Sequence, residues 1–281
     1  MSLNRPLHSP RSRLAEAVES LFGGCCEVAW LSGSYAYGGA VPGASDIDVV
    51  LVMHDAVPQP ASASMLETIQ KFIDVYLLTH HDAGLAPDLE FPGEYLTAAQ
   101  IRESFAGRGF TAETGERLSM PLVESPGYWT DDWTRWFRAW LGMAAFSQHL
   151  CGDYRQFEIL KAEAWKAILL FVSAKAAGPF TEEDILAELT TFGLKPRYKK
   201  FAELEIPWIR QAMEQLERDD VIARDGEFFV PQAATLRAWE RQTSRRCSIS
   251  PADPADLFLS ERQVRDLEHY AAERWKLMIG R

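Results

Sequence analysis

Two aspartates and a Gly-Ser pair, set between apolar runs, are the residues of this chain best suited to chemistry. Gly33-Ser34 follows one apolar run, and Asp46-Ile47-Asp48 leads into Val49-Val50-Leu51-Val52. Side chains alternate faces along a strand, so Asp46 and Asp48 are expected to share a face. Two carboxylates there repel each other unless a cation compensates them, which favours a divalent metal. Small residues at 33–34 let backbone N–H groups approach an anion, so the pattern predicts metal-assisted phosphoryl chemistry.

The stretch from Gly33 to Asp48 resembles the signature of the DNA polymerase β-like nucleotidyltransferase superfamily. It is most similar to aminoglycoside adenylyltransferases of the streptomycin/spectinomycin type, which share the double glycine at 38–39, Pro42 and the Ser-Asp-Ile-Asp ending at 45–48. The resemblance covers about residues 10–100 and includes the segment from Asp88 to Tyr95. Many relatives carry an arginine shortly after the Gly-Ser pair, where this chain has Tyr37. The cation that neutralises the phosphates must therefore come from elsewhere.

The resemblance implies transfer of a nucleoside monophosphate, AMP above all, from ATP or another NTP to an acceptor hydroxyl, with release of pyrophosphate. Asp46 and Asp48 are expected to hold Mg²⁺, and Gly33 with Ser34 to hold the β- and γ-phosphates. The family has a third carboxylate on a later strand. Asp74, in the apolar run 72–78, is expected to fill that role as a metal ligand or as the general base. A single acid in such a strand is also compatible with an edge position or with a role as an ion-pair partner.

Basic and acidic residues outside the signature complete the expected site. In related enzymes a helical domain supplies basic residues to the triphosphate, so Lys161 or Lys175 is expected to replace the missing arginine. Glu90 and Glu94 are expected to bind an amino-sugar-like acceptor, although acids in a Pro- and Gly-containing loop are equally compatible with solvation. The acceptor is expected to be a small cationic molecule such as an aminoglycoside, and the resemblance implies an antibiotic-resistance activity.

The periodicity of the chain predicts an α+β fold, with a small mixed β-sheet nucleotidyltransferase core and a helical C-terminal region that contains a winged-helix-like unit. The expected segments are the nucleotidyltransferase domain at 1–125, a helical region at 126–179, the winged-helix-like unit at 180–235, and a loop and helix at 236–281. Strands are expected near 26–32, 46–53 and 72–79, and a hairpin with an Asp225-Gly226 turn near 221–230. Helices are expected at 13–22, from Ser34, at 64–70, from Trp129, and at 154–176, 182–189, 208–218 and 260–279.

The composition limits the partners of the protein. The 281 residues include 29 Lys and Arg against 40 Asp and Glu, for a formal net charge of −11. This acidity disfavours nucleic acid, whose binding depends on basic residues, and it favours metal ions and small cationic acceptors. No apolar run reaches the length of a membrane span, and no signal-peptide core is present, so a cytoplasmic location is expected. The four cysteines lack the C-x-x-C spacing of a zinc site.

Other functions fit the same residues. The core is also compatible with nucleotidylation of a macromolecule, such as a tRNA end or a partner protein, or with tailoring of a natural product. A non-catalytic hypothesis is that the protein is a winged-helix regulator whose nucleotidyltransferase domain senses nucleotide. The acids at 46, 48 and 74 argue against that reading, because a sensor does not need every metal carboxylate.

Overall fold

A computed structural model describes residues 9–58, 60–89, 92–105, 141–176, 178–189, 201–232 and 258–280, and it has a mixed α+β fold. In chain order the elements are α1 (Pro10–Phe22), β1 (Cys26–Ser32), α2 (Gly33–Ala36), β2 (Asp48–Met53), α3 (Ala63–Ala83), β3 (Glu94–Thr97), α4 (Ala98–Phe105), β4 (Gln148–Gly152), α5 (Tyr154–Ala176), α6 (Glu182–Glu188), α7 (Phe201–Arg218), β5 (Ile222–Asp225), β6 (Phe228–Pro231) and α8 (Glu261–Ile279).

A four-stranded mixed sheet in the order β3-β2-β1-β4 forms the centre of the fold. Strand β1 is antiparallel to β2 and β4, and β2 is parallel to β3, with α3 in the connection between them. The register pairs Ser32 with Asp48 and Val50 with Glu94. Because directly paired residues point to the same side of a sheet, Ser32, Asp48, Val50 and Glu94 share one face.

Helices α1 and α3 pack together on the opposite face of this sheet. Leu14, Val18 and Phe22 recur at helical spacing on α1 and are buried. Phe72 of α3 lies 5.8 Å from Phe22 and 6.4 Å from Tyr95 of β3 between ring centroids, both in edge-on geometry. These aromatic side chains fix the helix layer to the face of the sheet opposite Asp48.

The strand expected at 72–79 is wrong, because these residues lie in the middle of α3. The buried positions follow the helical period: Ile69, Phe72, Ile73, Tyr76, Leu77, Thr79 and His80. The side chain of Ser62 caps the start of the helix by accepting from the N–H of Met65, and Gly84 ends it in a left-handed conformation. The short helix expected at 64–70 is the first part of α3. A short apolar run does not distinguish a strand from one face of a buried helix, and here the helix caps decide.

Two compact units divide the chain. The first contains residues 1–98, 148–157 and 254–281, and the second contains 99–147 and 158–253. In the first unit α8 packs against α3. The domain boundaries expected from the sequence stay a prediction. No helix in the described ranges is long and apolar enough to span a bilayer.

Several elements beyond residue 153 agree with the predictions made from the sequence. Helix α5 has the expected bounds, and Thr181 with Asp184 forms the expected capping box at α6. Strands β5 and β6 form the expected hairpin around Asp225-Gly226. Phe180 also forms a bridge with Phe229 of β6. The winged-helix-like interpretation stays a prediction, and most of the helix expected from Trp129 lies outside the described residues.

Candidate active site

Strand β1 leads directly into a glycine turn that contacts the first residue of β2. Gly33 has a φ of +65°, a conformation that favours glycine. A Cβ atom built on Gly33 would lie only 1.6 Å from Oδ2 of Asp48. The Asp48 carboxylate therefore occupies the space that a side chain at position 33 would need. This contact explains why a glycine stands at the end of β1, and it ties the turn to the carboxylate.

The long connection between α2 and β2 is fastened to the segment that follows α3. The N–H of Gly43 donates to the carbonyl of Gly84 at 2.8 Å, and the N–H of Ala86 donates to the carbonyl of Ser45 at 3.0 Å. These two backbone hydrogen bonds align residues 43–46 with residues 84–88. They bring Asp88 toward Asp46, although the two residues are 42 positions apart in the chain.

A third hydrogen bond fixes the residue between the two aspartates. The N–H of Ile47 donates to Nε2 of His80 at 2.9 Å, and Nδ1 of His80 lies 2.8 Å from the carbonyl of Tyr76. An amide N–H can only donate, so Nε2 is the acceptor and Nδ1 carries the proton. His80 is fully buried, and burial lowers its pKa to about 4. The imidazole is therefore neutral at pH 7.

Four acids form an acidic cluster near the N-terminal ends of β2 and β3: Asp46, Asp48, Asp88 and Glu94. Removal from water is the largest cause, followed by the charges of Asp46, Asp88 and Glu94 in that order, and together they raise the pKa of Asp48 to about 8. Burial and then Asp88 also raise the pKa of Asp46. Both aspartates keep part of their surface exposed to solvent, so a ligand can reach them.

The acidic cluster fits a hard divalent cation. Carboxylate oxygens are the ligands that Mg²⁺ prefers, and a cation would relieve the repulsion that raises the pKa of Asp48. No three His, Cys, Asp or Glu side chains in the described ranges are arranged as a preformed metal site. The fit therefore depends on the oxygen donors of the acidic cluster and on the mutual effect of its charges on the pKa of Asp48.

Asp74 lies on a different side of α3 from the acidic cluster. It is two residues before Tyr76, about 200° away around the helix. Burial and the charges of Asp46, Asp48 and Asp88 raise the pKa of the Tyr76 phenol, so that side of α3 faces the cluster. The Asp74 carboxylate instead accepts from Nε of Arg274 at 2.7 Å and from the hydroxyl of Tyr270 at 3.1 Å, both on α8. Its placement corresponds to the ion-pair alternative.

Lys161 lies inside the second unit, with its charge compensated. Its side chain is 3% exposed, and Nζ donates to Oε1 of Glu205 at 2.7 Å and to the carbonyl of Ser147 at 2.5 Å. The indole N–H of Trp165 donates to the other Glu205 oxygen at 3.0 Å. This environment does not support the expected triphosphate role. The side chain of Lys175 and the whole of Glu90 lie outside the described residues. Glu94 is described, and it is a member of the acidic cluster.

Sequence reasoning missed Asp88 and His80. Asp88 belongs to the segment that resembles aminoglycoside adenylyltransferases, but its place beside Asp46 depends on backbone hydrogen bonds that no sequence pattern announces. His80 shares the helical period of the buried face of α3 with Tyr76, and a helix prediction for this segment would have placed it on that face.

Comparison with known protein families decides the class of this site. Residues 11–103, about a third of the chain, match the family model of the nucleotidyltransferase domain. The chain is a nucleotidyltransferase. The matched stretch runs from α1 into α4 and includes Gly33 and the acidic cluster, and it supports membership of this domain in the polymerase β-like superfamily. No curated protein and no solved structure matches this nucleotidyltransferase.

Proposed function

We propose that this nucleotidyltransferase moves AMP from ATP to a hydroxyl group of a small cationic acceptor such as an aminoglycoside. The observation that carries the proposal is the acidic cluster on the Gly33 turn, where Asp48 touches the glycine and Asp46 and Asp88 lie close by. The cluster combines an approachable backbone turn for a phosphate with oxygen ligands for a cation.

Asp46 and Asp48 are the residues proposed to hold Mg²⁺. When bound, the ion supplies charge compensation for the triphosphate and for the negative charge that develops during transfer. Gly33 and Ser34 are proposed to bind the β- and γ-phosphates through backbone N–H groups and the serine hydroxyl. Because Gly33 has no side chain, the Asp48 carboxylate lies directly against the turn, which puts a proposed metal ligand beside the backbone proposed to bind phosphate.

Asp88 replaces Asp74 in our proposal as the third functional carboxylate. Its charge raises the pKa values of both Asp46 and Asp48, whereas Asp74 is bonded to Arg274. We propose that Asp88 accepts the proton of the acceptor hydroxyl. The acceptor oxygen forms a bond to the α-phosphorus, the bond from that phosphorus to the bridging oxygen breaks, and pyrophosphate leaves.

Glu94 is proposed to add negative charge to the site and not to touch the acceptor. It is 7% exposed and shares a sheet face with Asp48. Together with the net charge of −11, the acidic cluster favours a cationic acceptor over an RNA. The acceptor-binding role of Glu90 stays a prediction.

Pyrophosphate release tests the proposed function. The purified full chain is incubated with Mg²⁺ and each of the four NTPs, with and without a panel of aminoglycosides that includes streptomycin and spectinomycin. We expect release that needs ATP and one of these acceptors. Release with ATP and a different acceptor would keep the reaction and change the acceptor class. No release with any aminoglycoside would contradict the proposed acceptor.

A further inference from the structure

We propose that His80 is a positioning residue that holds the Asp46-Ile47-Asp48 segment in its metal-binding conformation. The inference depends on the proposed role of the two aspartates. Among the described residues, His80 is a fully buried histidine that lies on the helix layer and not on a strand of the site. Its side chain bonds the backbone N–H between the two aspartates, so it reaches the site without touching either carboxylate.

The histidine is fixed from both ends. Nδ1 donates to the carbonyl of Tyr76 at 2.8 Å, and the ring packs against the Tyr76 ring with 4.1 Å between centroids. These contacts leave Nε2 aimed at the N–H of Ile47. The backbone of His80 also takes part, since its carbonyl accepts from the N–H of Leu85 at 2.9 Å. One residue of α3 therefore contacts both the segment that leads to Asp48 and the segment that leads to Asp88.

A fixed backbone matters here because the carboxylates repel each other. Without the His80 acceptor, the Ile47 N–H would be buried without a partner, and residues 46–48 would have to rotate to satisfy it. Removal of a group that orients metal ligands through hydrogen bonds, without binding the metal itself, commonly lowers metal affinity or activity by about 10- to 100-fold. We expect an effect of this size on the affinity for a divalent cation.

Two substitutions separate positioning from packing. His80→Gln keeps an acceptor, because the glutamine side-chain oxygen reaches about the position of Nε2. His80→Leu fills the space but leaves the Ile47 N–H without an acceptor. Phe72→Leu is the matched control, since Phe72 is fully buried on the same helix and packs against Phe22 and Tyr95.

The first readout is the affinity of the full chain for Mn²⁺, measured by electron paramagnetic resonance. The melting temperature of each variant is measured in parallel. The second is hydrogen exchange of the Ile47 amide. We expect His80→Leu to weaken Mn²⁺ binding at least about 10-fold and to speed exchange at Ile47. His80→Gln should restore both, and Phe72→Leu should lower the melting temperature without changing either.

Equal Mn²⁺ affinities for His80→Leu and the wild type would overturn the proposal, and so would equal losses in His80→Leu and Phe72→Leu. Asp48→Asn tests the underlying site separately. If Asp48→Asn bound Mn²⁺ as tightly as the wild type, the proposed metal site would be wrong and the positioning role would be wrong with it. If Asp48→Asn lost Mn²⁺ and His80→Leu did not, only the role of His80 would be contradicted.

Discussion

Replacement of Gly33 by alanine is the sharpest structural test of the acidic cluster. The new Cβ would lie 1.6 Å from Oδ2 and 2.8 Å from Cγ of Asp48. Real Cβ atoms essentially never approach another heavy atom closer than 3.0 Å, so the carboxylate oxygen must move by about 1.4 Å or the turn must open. Both responses separate Asp48 from the position that it has over the turn.

Two effects of the substitution have estimable sizes. The left-handed conformation at φ +65° costs a residue with a side chain about 1–2 kcal/mol, which lowers the stability but leaves a folded protein. A displacement of about 1 Å in a group that positions reacting atoms costs about 100-fold in rate. We therefore expect Gly33→Ala to lower kcat about 100-fold or more, a larger loss than the change in stability explains.

Gly226→Ala is the matched control for backbone strain. Gly226 has a φ of +61° in the turn between β5 and β6, and a Cβ atom there would meet nothing within 4 Å. This variant should lose a similar amount of stability and keep the transfer rate of the wild type. The assay is pyrophosphate release, with melting temperatures measured in parallel. A Gly33→Ala enzyme that folds and keeps its kcat would refute the link between the turn and the carboxylate.

The remaining predictions concern charged groups. The pKa of Asp48 is about 8 in the folded protein, above its ordinary value of about 4, so the protonated form stabilises the metal-free fold at acid pH. The lowered pKa of His80 acts in the opposite direction between about pH 4 and its ordinary value of about 6.5, so the melting temperature of the metal-free protein should fall as the pH rises from about 6.5 to about 8. A wild-type slope in Asp48→Asn over that range would contradict this. Asp88→Asn should abolish transfer, whereas Asp74→Asn should keep it. Asp74→Asn should lower the free energy of unfolding by less than about 1 kcal/mol, because the ion pair with Arg274 is partly exposed. The opposite pattern in pyrophosphate release would favour Asp74 as the third functional carboxylate. Lys161→Met should lower stability by about 3–5 kcal/mol, because it removes one partner of the buried ion pair with Glu205, and an unchanged melting temperature would refute this expectation.

The closeness of the Gly-Ser pair to Asp48 was predictable from the sequence because these residues are near each other in the chain. Gly33-Ser34 and Asp46-Ile47-Asp48 stand at the ends of two strands, and antiparallel pairing of β1 with β2 brings those ends together. The hairpin around Asp225-Gly226 was predictable for the same reason, since its turn residues determine its geometry.

Residues brought together by long-range contacts were not predictable in this way. Asp88 reaches Asp46 through two backbone hydrogen bonds between distant loops. Lys161 meets a buried glutamate 44 residues away, so its helical position alone suggested a solvated or phosphate-binding lysine. The strand predicted around Asp74 was wrong because one face of α3 has the apolar run of a buried strand, and a strand places every second residue on the same side and gives the wrong neighbours.

Transfer of label from ATP tests the central claim most directly. The enzyme is incubated with Mg²⁺ and the acceptor identified by pyrophosphate release, with ATP labelled at the α-phosphate in one sample and at the γ-phosphate in another. We predict that the acceptor gains the α-label alone, and that Asp48→Asn transfers none. Appearance of the γ-label on the acceptor, or α-label transfer by Asp48→Asn at the wild-type rate, would contradict nucleotidyl transfer at the acidic cluster.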